Sequence, residues 1–203
     1  MEARTQLSQD IKILSEKTLA DAWGKLSETR LEMRRRDGTW QEVSREVYDH
    51  GSAAAVLLCD PAAGNIILTR QFRYPPFRNG DPGWLIEACA GLLDGDTPEA
   101  CARREAEEET GYRPDSLIHA FAAYASPGSL TEKVECFIGL YGPVSRISDG
   151  GGLHHEGEDI EVLEMPFAEG LAMIRNGRIV DAKTIMLLQH AALSGIFASN
   201  RYT

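Results

Sequence analysis

Ala90 to Tyr112, AGLLDGDTPEACARREAEEETGY, holds the densest set of residues that could do chemistry. Glu105, Glu108 and Glu109 stand at i, i+3 and i+4, which on a helix places three carboxylates on one face. Like charges at that spacing cost a helix about 0.2–0.5 kcal/mol per pair. A solvated acidic face is the ordinary explanation of such a triplet. The alternative is a hard cation such as Mg²⁺, which takes oxygen ligands and offsets the repulsion. Two neighbours favour the cation: the glycine-bearing loop AGLLDGD follows an apolar run, Trp84 to Ala90, and Arg103 and Arg104 flank the acids. Arg104 and Glu108 are spaced as an i, i+4 ion pair that can hold a ligand side chain in place. The helix has its own punctuation, with Thr97 as N-cap, Pro98 at the first helical position and Gly111 as a left-handed stop.

Other segments carry weaker signals. In Thr69-Arg70-Gln71-Phe72-Arg73 the two arginines face opposite ways on a strand, so one at most enters a given site. Each is either a surface ion pair or a bidentate clamp for phosphate. Ser126 to Glu132, SPGSLTE, is a turn from which Glu132 could bind a sugar hydroxyl or a base edge. His154 to Asp159, HHEGED, reads as a mobile loop. Adjacent histidines rarely chelate one ion, but such a loop could close and bring in one more carboxylate, for which Glu158 is the choice. Arg34, Arg35 and Arg36 read as a solvated turn. Lys183, in the first turn of the last helix, opposes the helix dipole, which favours a phosphate- or sugar-binding role.

These residues need elements to position them. Residues 1–22 read as a helical or irregular arm. Trp23 to Arg35 and Trp40 to Tyr48 form a hairpin about the Asp37-Gly38 turn. A two-stranded ribbon is marginal alone, so it is expected to pack on another surface, such as a second subunit. From Ser52 the chain alternates strands (Ala53–Cys59, Ile66–Tyr74, Trp84–Ala90, Leu117–Ala125, Val134–Tyr141, Ile160–Met165) with helices. Pro75 to Gly83 and the Gly-rich Ser145 to Glu158 are loops. Phe167–Arg175 is a helix stopped by Asn176-Gly177. Asp181 caps a last helix, Ala182–Ala198, apolar around most of its circumference and expected between layers. The chain is an α/β protein with a mixed sheet sandwiched by helices, divided into an arm and ribbon over 1–51 and a main domain over 52–203.

The 203 residues carry a net charge of −10, which argues against nonspecific nucleic-acid binding. Cys59, Cys89, Cys101 and Cys136 form no C-x-x-C pair; three of them lie in apolar runs and read as reduced core residues, with no zinc site. The first twenty residues lack a signal-type apolar core, and no apolar run approaches ~18 residues, so a cytoplasmic chain without membrane contact is expected.

The acidic helix resembles the motif of the Nudix hydrolases, Gly-x5-Glu-x7-Arg-Glu-apolar-x-Glu-Glu-x-Gly-apolar. Arg104, Glu105, Ala106, Glu108, Glu109, Gly111 and Tyr112 fit its second half at every position, and Asp96 stands where the motif has Glu. Gly91 is one residue too close, which reads as a loop one residue shorter. Within the family, REVYDHG, TRQFRY, IEACAGLLDGD, YASPGSLTE, GEDIEVLEMPF and the D-x-KT-x-x-LL start of the last helix are similar to the GDP-mannose pyrophosphatase group. Its rival is the ADP-ribose pyrophosphatase group. The resemblance implies an αβα sandwich with mixed sheets, an N-terminal β-ribbon arm, and hydrolysis of a nucleoside diphosphate sugar at its pyrophosphate. GDP-mannose would give GMP and mannose 1-phosphate; the alternative is ADP-ribose to AMP and ribose 5-phosphate.

The resemblance also implies roles. Mg²⁺, with Mn²⁺ as a substitute, would be held by the Ala90 carbonyl and by Glu105, Glu109 and Glu158. Glu108 would be a further ligand or a hydrogen-bonding support. Glu158 is the first candidate for general base and Glu109 the second. Trp23 would stack on the base, Arg45 and Glu46 would contact the nucleotide, and Arg73 would hold phosphate. Gly91 and Leu92 would line the pocket with Ala90, and Glu132 and Lys183 would approach the substrate. A homodimer with exchanged N-terminal strands is implied, so that Trp23 and Arg45 serve the partner's site.

Overall fold

The computed structural model describes residues 9–198, which form two compact units. The first is the described part of Met1–Gly51 with Tyr124–Glu132. Its sheet has three antiparallel strands in the order β1 (Ile11–Asp21), β2 (Lys25–Arg34) and β3 (Trp40–Asp49). Over Ile11–Asp21 strand β1 replaces the expected helical or irregular arm, of which residues 1–8 lie outside the described residues. The register shifts between Ile13 and Ser15, and again between Thr18 and Ala20, leaving Leu14 and Leu19 as bulge residues. Each bulge breaks the two-residue alternation that would announce a strand. Every residue of β1 is exposed. The β2–β3 hairpin turns at Asp37-Gly38, where the Asp37 carboxylate accepts from the Thr39 amide at 2.9 Å and Gly38 has φ +86°. The SPGSLTE segment adds to the edge of β3: Tyr48 N–H donates to Ser129 O at 2.8 Å, and Thr131 Oγ1 donates to Asp49 Oδ1 at 2.7 Å.

The second unit, Ser52–Ala123 with Lys133–Thr203, is built around β4 (Ala53–Asp60). All eight residues of β4 are buried, as befits a strand covered on both faces. It runs parallel to β9 (Lys133–Leu140) and antiparallel to both β7 (Cys89–Leu92) and the start of β5 (Asn65–Phe72). Strand β5 also pairs with β6 (Trp84–Glu87) and β10 (Glu161–Pro166), while β8 (Ser116–Tyr124) lies outside β9. The expected strand Trp84–Ala90 is therefore two strands broken at Ala88, and the expected loop after Pro75 contains a short helix α1 (Tyr74–Arg78).

Alternate residues of β4 feed two cores. Ala53, Ala55 and Leu57 pack with Met173 of α3 (Phe167–Arg175) and with Leu187, Leu188 and Ala191 of α4 (Ala182–Ser194). Ala54, Val56 and Leu58 pack with Cys101 and Ala102 of α2 (Pro98–Glu105) and with Ala106. Helices on both faces of a mixed sheet make the αβα sandwich that the sequence leads one to expect. Helix α4 is one-sided rather than enclosed: Thr184, Leu187, Leu188 and Ala191 are buried, Leu193 is exposed, and the helix ends at Gly195 with φ +73°. No helix among the described residues is long and apolar enough to cross a membrane.

Candidate active site

Helix α2 begins as its sequence prescribes. Thr97 Oγ1 accepts from the Ala100 amide at 3.3 Å, and Pro98 occupies the first turn. Past Glu105 the helix widens into a π-type turn, Ala106–Thr110, closed by Gly111 at φ +77°. Thr110 Oγ1 donates back to the Ala106 carbonyl, and Gly111 N–H donates to Glu107 O at 3.0 Å. Wide turns of this kind concentrate at functional sites.

The three acids take different places. Glu105 and Glu109 are buried, whereas Glu108 is partly exposed. Arg104 Nη1 meets Glu105 Oε1 at 2.8 Å and Glu108 Oε2 at 3.0 Å. The same guanidinium donates from Nη2 to Leu92 O and from Nε to Asp96 Oδ2, both at 3.3 Å, tying the glycine loop to the helix. Gly91 is a cradle for Glu105: a Cβ there would lie 1.9 Å from Glu105 Oε1. Glu109 Oε2 is buried without a hydrogen-bond partner.

Burial, helped by the neighbouring carboxylates and opposed by Arg104, pushes Glu105 up to about 7. Burial, then Glu105 and Glu158, pushes Glu109 up to about 8 against the pull of Arg73. Burial and the Glu109 carboxylate raise the Cys89 thiol well above its usual range. An orphaned buried oxygen in a group of crowded carboxylates is a donor set suited to a hard divalent cation. Among the described residues no three His, Cys, Asp or Glu side chains already converge as ligands. Glu105 and Glu108 pair with Arg104, and Glu158 Oε2 accepts from the Leu153 amide at 2.8 Å.

Glu158 belongs to a segment less free than its composition suggests. Gly151 N–H donates to Glu109 O at 2.9 Å, Gly152 N–H to Glu108 O at 3.1 Å, and Ile147 N–H to Gly111 O at 2.7 Å. These bonds lay the glycine run directly on the wide turn. Gly150 has φ +69°, and a Cβ on it would lie 2.4 Å from the Thr110 carbonyl carbon. Only glycine fits there.

Arg70 and Arg73 separate as strand geometry requires. Arg70 is exposed and pairs with Glu161 at 2.9 Å, while Arg73 Nε meets Glu87 Oε2 at 2.7 Å. Lys183 Nζ meets Glu87 Oε1 at 2.7 Å and Asp181 Oδ1 at 2.9 Å. Burial works against both cations, but these carboxylates more than offset it and hold their pKa values above the ordinary range. Glu87 is a partner that the sequence does not single out, and Asp181 was expected only as the cap of the last helix. The available signal was an acid inside an otherwise apolar strand, WLIEACA.

The second unit thus assembles Arg73, Ala90, Gly91, Leu92, Glu105, Glu108, Glu109, Glu158 and Lys183. The first unit carries Trp23, Arg45, Glu46 and Glu132. Trp23 lies in the turn between β1 and β2, is 73% exposed and stacks on His50 at 5.1 Å, with Tyr48 at 6.5 Å. Arg45 and Glu46 are exposed on β3, and Arg45 Nη1 donates to Ser44 O at 2.8 Å.

Residues 10–48 match the family described as the GDP-mannose pyrophosphatase NudK N-terminal domain, and residues 49–188 match the NUDIX domain. The chain is 49% identical to a GDP-mannose pyrophosphatase of Pectobacterium atrosepticum, over 95% of this chain and 99% of that one. It is 48% identical to the protein of that name from Cronobacter sakazakii, over 94% and 99%. A crystal structure titled ADP compounds hydrolase shares the fold at a TM-score of 0.71 and 18% identity, covering 95% of this chain and 97% of that one. The chain belongs to the Nudix family and is a Nudix hydrolase.

Proposed function

We propose that this chain hydrolyses the pyrophosphate bond of a nucleoside diphosphate sugar, with GDP-mannose and water giving GMP and mannose 1-phosphate. The observation that carries the reading is the buried, partnerless Glu109 oxygen beside Glu105, within the electrostatic reach of Arg73 and Glu158. The choice of sugar nucleotide leans on the relatives named GDP-mannose pyrophosphatase, which align over nearly all of both chains.

The Ala90 carbonyl with Glu105, Glu109 and Glu158 would hold magnesium, with manganese as its substitute and Glu108 in support. When bound, such ions neutralise phosphate oxygens and make water more acidic. The protein's own groups do the rest. Arg73 and Lys183 meet the phosphate oxygens and fix the diphosphate for in-line attack. Gly91 and Leu92 line the pocket with Ala90. Glu158 accepts the proton of the attacking water at Oε1, the oxygen that Leu153 does not engage. Glu109 is the second candidate for that base. The P–O bond to the bridging oxygen breaks as the new one forms, and the two phosphate monoesters leave.

Trp23 stacks on the base, Arg45 and Glu46 contact the nucleotide, and Glu132 approaches the sugar. Trp23 and Arg45 act on a partner copy's site in a homodimer with exchanged N-terminal strands. Support comes from β1, which buries nothing and exposes Ile11, Ile13, Leu14 and Leu19. A small sheet with such a surface needs a cover. The cytoplasm is the proposed compartment, in keeping with four buried free cysteines.

A magnesium-supplemented substrate panel with product identification tests the reading. GDP-mannose should exceed ADP-ribose in kcat/KM and yield GMP. A higher kcat/KM for ADP-ribose would move the chain to the rival substrate.

A further inference from the structure

Glu87, at the end of β6, is 4% exposed and has no part in the mechanism above. Both of its carboxylate oxygens are taken, Oε2 by Arg73 Nε and Oε1 by Lys183 Nζ, each at 2.7 Å. One buried acid therefore holds two cations that lie 14 and 96 residues away along the chain. Arg73 is gripped through Nε, so both terminal guanidinium nitrogens stay outside that ion pair.

The acid stands on a firm footing. Its residue pairs with Thr69 across β5 and β6, and the Thr69 hydroxyl donates to Glu87 O at 3.2 Å. The next amide, Ala88 N–H, donates to Thr184 Oγ1 at 2.8 Å, at the strand break. Thr184 in turn donates to Asp181 Oδ2, the N-cap of α4, at 2.6 Å. Helix α4 is thus anchored to the residue after Glu87 at the very turn that presents Lys183.

We propose that Glu87 is a positioning residue: it holds Arg73 and Lys183 side by side as a two-cation cradle for the phosphates of the substrate. The proposal rests on the reading that Arg73 and Lys183 contact those phosphates. Two cations sharing one carboxylate would otherwise repel each other and swing into solvent. With Asp181 included, the four side chains sum to zero charge, so the gain from Glu87 is geometry rather than excess positive field. A pair already fixed at one spacing meets adjacent phosphate oxygens without the entropy of ordering two long side chains.

The test is a set of variants assayed on GDP-mannose with Mg²⁺. Glu87→Gln keeps the shape and removes the charge. It should raise KM about tenfold, with kcat falling less than about threefold, because the loss is in holding the phosphates. In an Arg73→Ala background the same change should cost about threefold further rather than tenfold, since one of the two cations it holds is gone and Lys183 remains. Glu87→Asp, which keeps the charge, should recover part of the KM; it also carries the test if thermal melts show Glu87→Gln to be unfolded. An unchanged KM in folded Glu87→Gln, or in Glu87→Asp where Glu87→Gln does not fold, overturns the proposal. So does an undiminished effect in the Arg73→Ala background. A wild-type kcat/KM in both Arg73→Ala and Lys183→Ala would instead overturn the underlying assignment of these cations to substrate, and the cradle with it.

Discussion

Replacing Gly91 with alanine separates the chemistry from the fold. Gly91 has an ordinary φ, so alanine brings no backbone strain, and the atoms it meets belong to the flexible end of Glu105. The new Cβ would lie 1.9 Å from Glu105 Oε1 and 2.2 Å from its Cδ, where ordinary contact begins at 3.4 Å. The carboxylate must therefore retreat by the difference, about 1.5 Å. A displacement of 1 Å in a reacting constellation can cost ~10²-fold, so kcat/KM should fall by at least ~10²-fold. Overpacking of this kind costs ~1–3 kcal/mol, at the low end here because a side-chain tip can yield. Steady-state kinetics over a magnesium titration, with thermal melts alongside, would read both quantities. The activity should be lost with a higher magnesium requirement, and Glu105→Asp in the same chain should recover part of it by shortening the acid. Wild-type kinetics in folded Gly91→Ala would refute the claim that this carboxylate must sit under the glycine.

Glu109→Gln should lower kcat by at least ~10²-fold while raising the melting point of metal-free protein at neutral pH, because the amide is neutral without the proton that the buried acid must take up to stay uncharged; full activity would argue against a metal-binding role for Glu109. The pH dependence of stability has a definite sign. Glu105 and Glu109 lie above the ordinary carboxylate value of 4.5 in the folded protein, at about 7 and about 8. Between 4.5 and these values the native state holds more protons than the unfolded one, so the metal-free protein should lose stability as pH rises through this window. Denaturation at pH 5, 7 and 9 with chelator should show that decline, and added magnesium should reverse it most at pH 9. Thr97→Ala should cost ~1 kcal/mol through the lost cap to Ala100, read as a melting point lower by ~2–4 °C with the rate little changed.

The acidic helix was legible because its ends are written in side chains: Thr97 and Pro98 start it and Gly111 stops it. Strand β4 was legible too, since the seven apolar and small residues Ala53–Cys59, ended by Asp60, fit a strand buried on both faces. Strand β1 was not, because bulges at Leu14 and Leu19 scramble the alternation on which such a reading depends. The wide turn at Ala106–Thr110 has no sequence mark, as α- and π-type turns accept the same residues. The docking of Gly150 to Gly152 on that turn is made by main-chain atoms, so the composition of the segment suggested freedom where the backbone is tied. Glu87 was hidden for another reason: a lone acid in a strand has no spacing to betray it, and its meaning comes from Lys183, 96 residues later.

The seam between the triglycine run and the wide turn consists of amides and carbonyls alone. Its hold does not depend on any side chain being present, only on the absence of one at Gly150. The root of the segment is therefore locked in step with Glu108 and Glu109. A single methyl group at position 150 would press on the Thr110 carbonyl carbon and the Glu109 carbonyl oxygen and unseat both together.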